Sequence, residues 1–295
     1  MRVNPDRNAS MLAALQRTQR EEDLALQQLS SGRRVNKPSD DPAAAAVLIG
    51  NSAQSAQADQ FLRSISSIQA ELQTADSTLS SVVSVLTRAI SLGVQGANGT
   101  LSDSNRASAA EEVQGLQEQL LSLANLNFQG RYVFGGTASG TAPFVLDATQ
   151  PSGVRYVGNN GVNAVGIGES LQVPVNLPGS QLFTTAGSDV FQAIHDLIVG
   201  LQSNANIDTA VVAVRKAFDQ VTAQRVFYGN AIARLQDQQN FLNAEKVQFA
   251  DQQNKIGGAD LAETISRLTD AESARNATLQ AGARFGQSSL FDYLE

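Results

Sequence analysis

The chain has 295 residues, 42% of them hydrophobic, which is enough to bury a sizeable core and long enough for about two domains. A net charge of −7 and a pI near 4.8 leave no basic face to neutralise phosphates, which argues against a nucleic-acid partner. With no cysteine and a single histidine, His195, disulfides, thiolate metal sites, cysteine nucleophiles and a paired-histidine metallopeptidase motif are excluded.

The first residues, MRVNPDRNASMLAALQRTQR, contain no apolar core of signal-peptide length. Nor does the chain contain about 18 consecutive apolar residues, so neither classical secretion nor membrane insertion is expected. Leu12, Leu15, Gln19, Glu22, Leu26 and Leu29 keep heptad spacing, but Gln19 and Glu22 make this stripe half-polar. Ser30-Ser31-Gly32 predicts the end of that helix, because glycine tolerates the left-handed turn found at helix C-termini. Arg33 and Arg34 follow where the helix dipole favours cations. Pro38 keeps the loop extended, Asp41 caps the next helix, Pro42 takes its first position and the alanines after it propagate it.

From Phe61 an apolar or small residue recurs at alternating steps of four and three, through Ile65, Ile68, Leu72, Ala75, Leu79, Val82, Leu86, Ala89 and Gly93. Gly96, Asn98 and Gly99 predict a turn, and Val113, Leu116, Leu120 and Leu123 a second helix folded back on the first. From about Thr137 to Phe183 the composition shifts to Gly, Pro, Asn and Val. Leu171, Val173 and Val175 alternate there, and Gly158-Asn159-Asn160-Gly161 reads as a turn, so this segment is a β-rich insertion. The helical spacing returns at Val211, Val214, Phe218 and Val221 and continues through Arg225, Tyr228 and Leu235 to Phe249. Gly257-Gly258 breaks that helix and Asp260 opens the last one. Leu261, Ile265 and Leu268 form a stripe there, continued at eleven-residue steps by Leu279 and Leu290. Both terminal stripes bury too little alone to offset the entropy of ordering the chain, so they need each other or a neighbouring subunit.

Catalytic vocabulary is thin. His195 lies on a helix beside Asp196 and reads as a capped or exposed histidine. Glu21-Glu22 and Glu111-Glu112 are adjacent on helices and therefore diverge, which makes them solvated faces rather than acid–base pairs. The glycines of YVFGG and VGIG lack the strand-then-helix frame of a dinucleotide site, and no cofactor is expected. Phe144, Tyr156 and Phe183, at the edges of the insertion, offer no stacking platform for a glycan.

Four segments carry a family resemblance. QQLSSGRRVNKPSDDPAAAA (Gln27 to Ala46) closely resembles the junction after the first helix of bacterial flagellins, and its RVNKPSDDP wording resembles the hook-associated protein 3 branch of that family. NFQGRYVFGG (Asn127 to Gly136) is similar to the end of the first helical half in that branch, and SSLFDYLE (Ser288 to Glu295) to its closing motif. YGNAIARLQDQQNFL (Tyr228 to Leu242) resembles the returning helix of flagellins. Both halves of the chain are covered and the β-rich insertion is not.

The resemblance implies a mainly α fold: a long antiparallel helical bundle (43–136 and 184–258), coiled-coil terminal segments (1–42 and 259–295) ordered on assembly, and a small inserted β-rich domain (137–183). It implies an axial structural protein rather than an enzyme, placed outside the cell between hook and filament. A ring of copies would sit above hook-associated protein 1 and below flagellin. Export would run through the flagellar type III apparatus with a chaperone on the C-terminal helix. The residues expected at the interface between copies are Leu12, Leu15, Leu26, Leu29, Leu261, Ile265, Leu268, Leu279, Leu290, Phe291 and Leu294. Arg33, Arg34, Asp40 and Asp41 either cap helices, as their residue types explain, or meet opposite charges on neighbouring copies. Two rivals stay open: flagellin itself, and a surface-binding or adhesin module carried by the insertion.

Overall fold

The computed structural model describes residues 5–291, with side chains from 9 to 283. In chain order the elements are α1 (Pro5–Ser31), α2 (Pro42–Gly96), α3 (Asp103–Ala124), β1 (Asn127–Phe128), β2 (Arg131–Tyr132), β3 (Phe144–Leu146), β4 (Val154–Tyr156), β5 (Ala164–Gly166) and β6 (Gln172–Pro174). Four more helices follow: α4 (Gly179–Leu182), α5 (Val190–Ser203), α6 (Ile207–Gly257) and α7 (Leu261–Phe291). The fold is mainly α, and among the described residues the strands form three antiparallel pairs, β1–β2, β3–β4 and β5–β6. Two compact units divide the chain, one of residues 1–57 and 244–295 and one of 58–243. The chain passes from one to the other within α2 and again within α6.

In the unit of residues 58–243 the core follows the periodicity. Ile65, Leu72, Ala75, Leu79, Val82, Leu86 and Ala89 of α2 are fully buried, as are Val113 and Leu120 of α3 and Val214, Val221, Tyr228 and Leu235 of α6. An 18-residue window of α2 reaches a mean hydropathy of 1.3, and the helix is long enough to cross a bilayer, but these apolar residues are the seam of a protein core. Gly93 and Gly96 extend the same seam for a different reason. A Cβ on either would collide, at Gly93 with Val211 and Leu197 and at Gly96 with Leu201, so their small size lets the α5 and α6 side chains nest against α2.

Caps set the helix ends. Ser102 accepts from the Asn105 amide at the start of α3, and Asp189 from the Gln192 amide at 2.8 Å at the start of α5. Asn204, in the left-handed conformation, closes α5. The β structure begins at Asn127: Gln129 and Gly130 both have positive φ, the two-residue turn whose twist suits a hairpin. Asn125, at the end of α3, clasps the backbone of Phe144 with both ends of its amide, at 2.8 and 2.9 Å. The GNNG turn forms around Asn159, whose Oδ1 accepts from the amides of Thr137 and Gly161.

The insertion aromatics are not edge residues. Phe144 and Phe183 are buried and meet edge to face at 5.4 Å, joined by Phe134, Phe191 and Tyr156 in one cluster. Apolar area and ring geometry draw them together, and the Tyr156 hydroxyl donates to the carbonyls of Phe134 and Asn159. Two carboxylates read as solvated are also engaged: Glu112 accepts from Arg88 at 2.6 Å, and Glu22 lies in a helix seam described below.

Candidate assembly interface

The unit of residues 1–57 and 244–295 is built around α1 and α7, which pair antiparallel. Met11 approaches Gly282, Glu22 meets Arg275, and Arg33 forms an antiparallel bridge with Gly258. On α1 the inward residues at heptad spacing are Met11, Leu15, Thr18, Glu22, Ala25 and Leu29, with Gln28 also buried at the end of the helix, where its amide donates to the Arg34 carbonyl. On α7 they are Thr264, Leu268, Ala271, Arg275, Thr278 and Gly282. Both sets step by four and three, the a and d positions of a heptad, but small and polar residues dominate them. At Gly282 any side chain would strike Met11.

This seam separates the expected interface residues. Leu15, Leu29 and Leu268 are half-buried within the pair. Leu12 and Leu26 fall one residue beyond the d positions of α1, Ile265 and Leu279 one residue beyond those of α7, and all four are exposed, Leu12 to 57% and Ile265 to 51%. In an antiparallel pair these e positions flank the same side of the seam, and Leu261 lies exposed at its α7 start. One face of the helix pair therefore carries a leucine and isoleucine stripe turned to solvent. The side chains of Leu290 and Phe291, and all of Leu294, lie outside the described residues. The partners that sequence reading missed are Met11, Thr18, Ala25, Thr264, Ala271, Arg275, Thr278 and Gly282; their signal was heptad spacing without bulk.

The loop after α1 is a stitch. Gly32 adopts φ +66°. The Arg34 amide donates to the Gly257 carbonyl at 2.7 Å, and the Ala259 amide to the Gly32 carbonyl at 3.0 Å. The Arg34 guanidinium donates to the Ile256 carbonyl at 2.9 Å and to Asp41 Oδ2 at 3.1 Å. Arg34 thus caps the C-terminus of α6, the far helix, rather than α1. Asp41 also accepts from the Ala44 amide at 3.0 Å as the cap of α2. That amide first, and then Arg34, hold its carboxyl below the ordinary aspartate value. Asp40 accepts from the amides of Asn36 and Lys37, which folds the loop on itself, and Arg33 is left exposed. Val35, Ala44 and Ala45 form a small apolar floor with Leu48 and Ile256, beside a cleft of about 270 Å³ lined in part by Arg33, Gly257 and Gly258.

Residues 7–139 match the bacterial flagellin N-terminal helical region. The flagellar hook-associated protein 3 of Escherichia coli K12 is 34% identical over 198 residues, an alignment covering 64% of this chain and 58% of that protein. The chain thus spans under two thirds of the length of such relatives. Flagellin of Listeria monocytogenes is 26% identical over 83% of this chain and 81% of its own. The fold matches the crystal structure of the flagellar junction protein FlgL from Legionella pneumophila with a TM-score of 0.63, at 15% identity, over 72% of this chain and all of that one. The first helical half of the chain is thus similar to the N-terminal helical region of bacterial flagellins, and the chain is similar to hook-associated protein 3 and, more distantly, to flagellin.

Proposed function

We propose that this chain is a structural, non-enzymatic part of the bacterial flagellum that joins hook to filament. The observation that carries this reading is its similarity to hook-associated protein 3, at higher identity than to the flagellin of Listeria. The geometry adds a means of assembly. The stripe of Leu12, Leu26, Leu261, Ile265 and Leu279 packs on the corresponding pair of the next copy, closing a ring, and Leu290, Phe291 and Leu294, outside the described side chains, are assigned to the same interface from the sequence alone. Export through the flagellar type III apparatus with a chaperone on α7, and contacts with hook-associated protein 1 below and flagellin above, follow from the same reading. Arg34 and Asp41 serve the stitch in the single chain, and Arg33 is the exposed cation available to a neighbour.

A second reading, the filament subunit, draws on the longer flagellin alignment. Deleting the gene separates them. A junction protein leaves intact hooks and unpolymerised flagellin in the medium; a filament subunit leaves hooks with no flagellin to secrete, and that result would overturn the proposal.

A further inference from the structure

Glu22 and Arg275 meet across the α1–α7 seam, Arg275 Nη1 donating to both carboxylate oxygens at 2.8 and 2.7 Å. The Glu22 side chain keeps only 16% of its exposure and that of Arg275 39%. Around them the seam is made of Thr18, Ala25, Ala271 and Thr278. Such small residues fit almost any helix with heptad spacing, so they select no partner. A partly buried ion pair adds little net stability, yet leaving the mostly covered Glu22 carboxylate against an apolar or like-charged residue is unfavourable. Polar pairs at such positions are the best-attested means of fixing register in coiled coils.

We infer that the Glu22–Arg275 pair selects the partner and register of the terminal helices. An antiparallel pair of two α1 helices on this seam sets Glu22 against Glu22, and a pair of two α7 helices sets Arg275 against Arg275. If α7 slips by one heptad, Glu22 faces Leu268 or Gly282 and Arg275 faces Leu15 or Leu29. The stitch at Gly32 and Ala259 aligns the helices only at their near ends, roughly 15 Å of helix from Glu22. The inference deepens the proposed function, since a ring of copies brings many α1 and α7 helices side by side, where a choice is needed.

The absence of native cysteine allows a direct test in the full-length chain. Thr18→Cys with Thr278→Cys places one thiol on each helix next to the ion pair. Mild oxidation of the unassembled protein should give a disulfide within the chain. Adding Glu22→Arg or Arg275→Glu alone should lower that yield several-fold and raise disulfide-linked dimers, and combining both reversals should restore it. Unchanged yield in the single reversals would overturn the inference. So would failure of the double reversal to recover, whether or not circular dichroism shows its helices retained. The measurement uses unassembled protein, so it fails or succeeds independently of the deletion phenotype.

Discussion

Tyr228 carries a hydroxyl into a fully buried site in α6, where the Leu177 backbone is a polar neighbour but no well-formed hydrogen bond reaches it among the described residues. Burial pushes its phenol well above the usual tyrosine range. An unsatisfied buried hydroxyl costs about 1–3 kcal/mol, so Tyr228→Phe should leave stability unchanged or raise it by about 1 kcal/mol in denaturant melts. A loss of stability of that size would instead mean that the hydroxyl is bonded. Asp41 behaves oppositely. Its folded pKa lies below its unfolded value near 3.8, so the contribution of its contacts is complete above that value and is lost as pH falls through the folded pKa. The Ala44 amide shift should therefore titrate below 3.8 and lose this dependence in Asp41→Asn; a midpoint at or above 3.8 would contradict the contact. That Asp41 caps α2 was legible from its place before Pro42. That Arg34 caps α6 was not, because its acceptor lies 222 residues away and nothing local encodes that distance.

Among the elements, the long seams of α2 and α6 were legible because nearly every third or fourth residue is apolar or small, and the structure buries most of those residues. The α1–α7 pair shows where such reading stops. A stripe at steps of three and four can be drawn through a and e positions as well as a and d, and leucines at e drew it there, whereas the actual d positions include Thr18, Ala25, Thr264, Ala271 and Thr278. The difference predicts unlike effects for neighbouring changes. Ile265 is exposed, so Ile265→Asp should alter monomer stability by no more than about 0.5 kcal/mol while blocking polymerisation. Leu268 is half-buried in the seam, so Leu268→Asp should also reduce the helicity of the monomer. Circular dichroism with sedimentation distinguishes the two; assembly-competent Ile265→Asp would remove the exposed stripe from the interface.

At the scale of the whole molecule, apolar burial is uneven. The main core lies within residues 58–243, while Val35, Ala44 and Ala45 are the buried residues of the second, smaller cluster. Amide exchange in the monomer should accordingly be faster in α1 and α7 than in the seam of α2 from Ile65 to Ala89. Equal protection would mean that the terminal pair is as firmly held as the core. Alternating helix and turn chemistry made the helical frame legible, but the hairpin strands, at two or three residues each, are too short to carry a period. Their placement depends on Asn125 and the phenylalanine cluster, contacts that join distant positions.

The stitch between Arg34 and the end of α6 has a kinetic consequence. Made first, it would close a loop of 222 residues, at roughly 5 kcal/mol of chain entropy with no core yet formed to offset it. Once residues 58–243 have folded, only the short segments on either side are left to close, and the entropic barrier drops by roughly 1–2 kcal/mol. Closure of the stitch is thus expected to follow the folding of residues 58–243. On that order of events a folding chain passes through an interval in which its core is complete and the stitch that ties the near ends of α1 and α7 is still open.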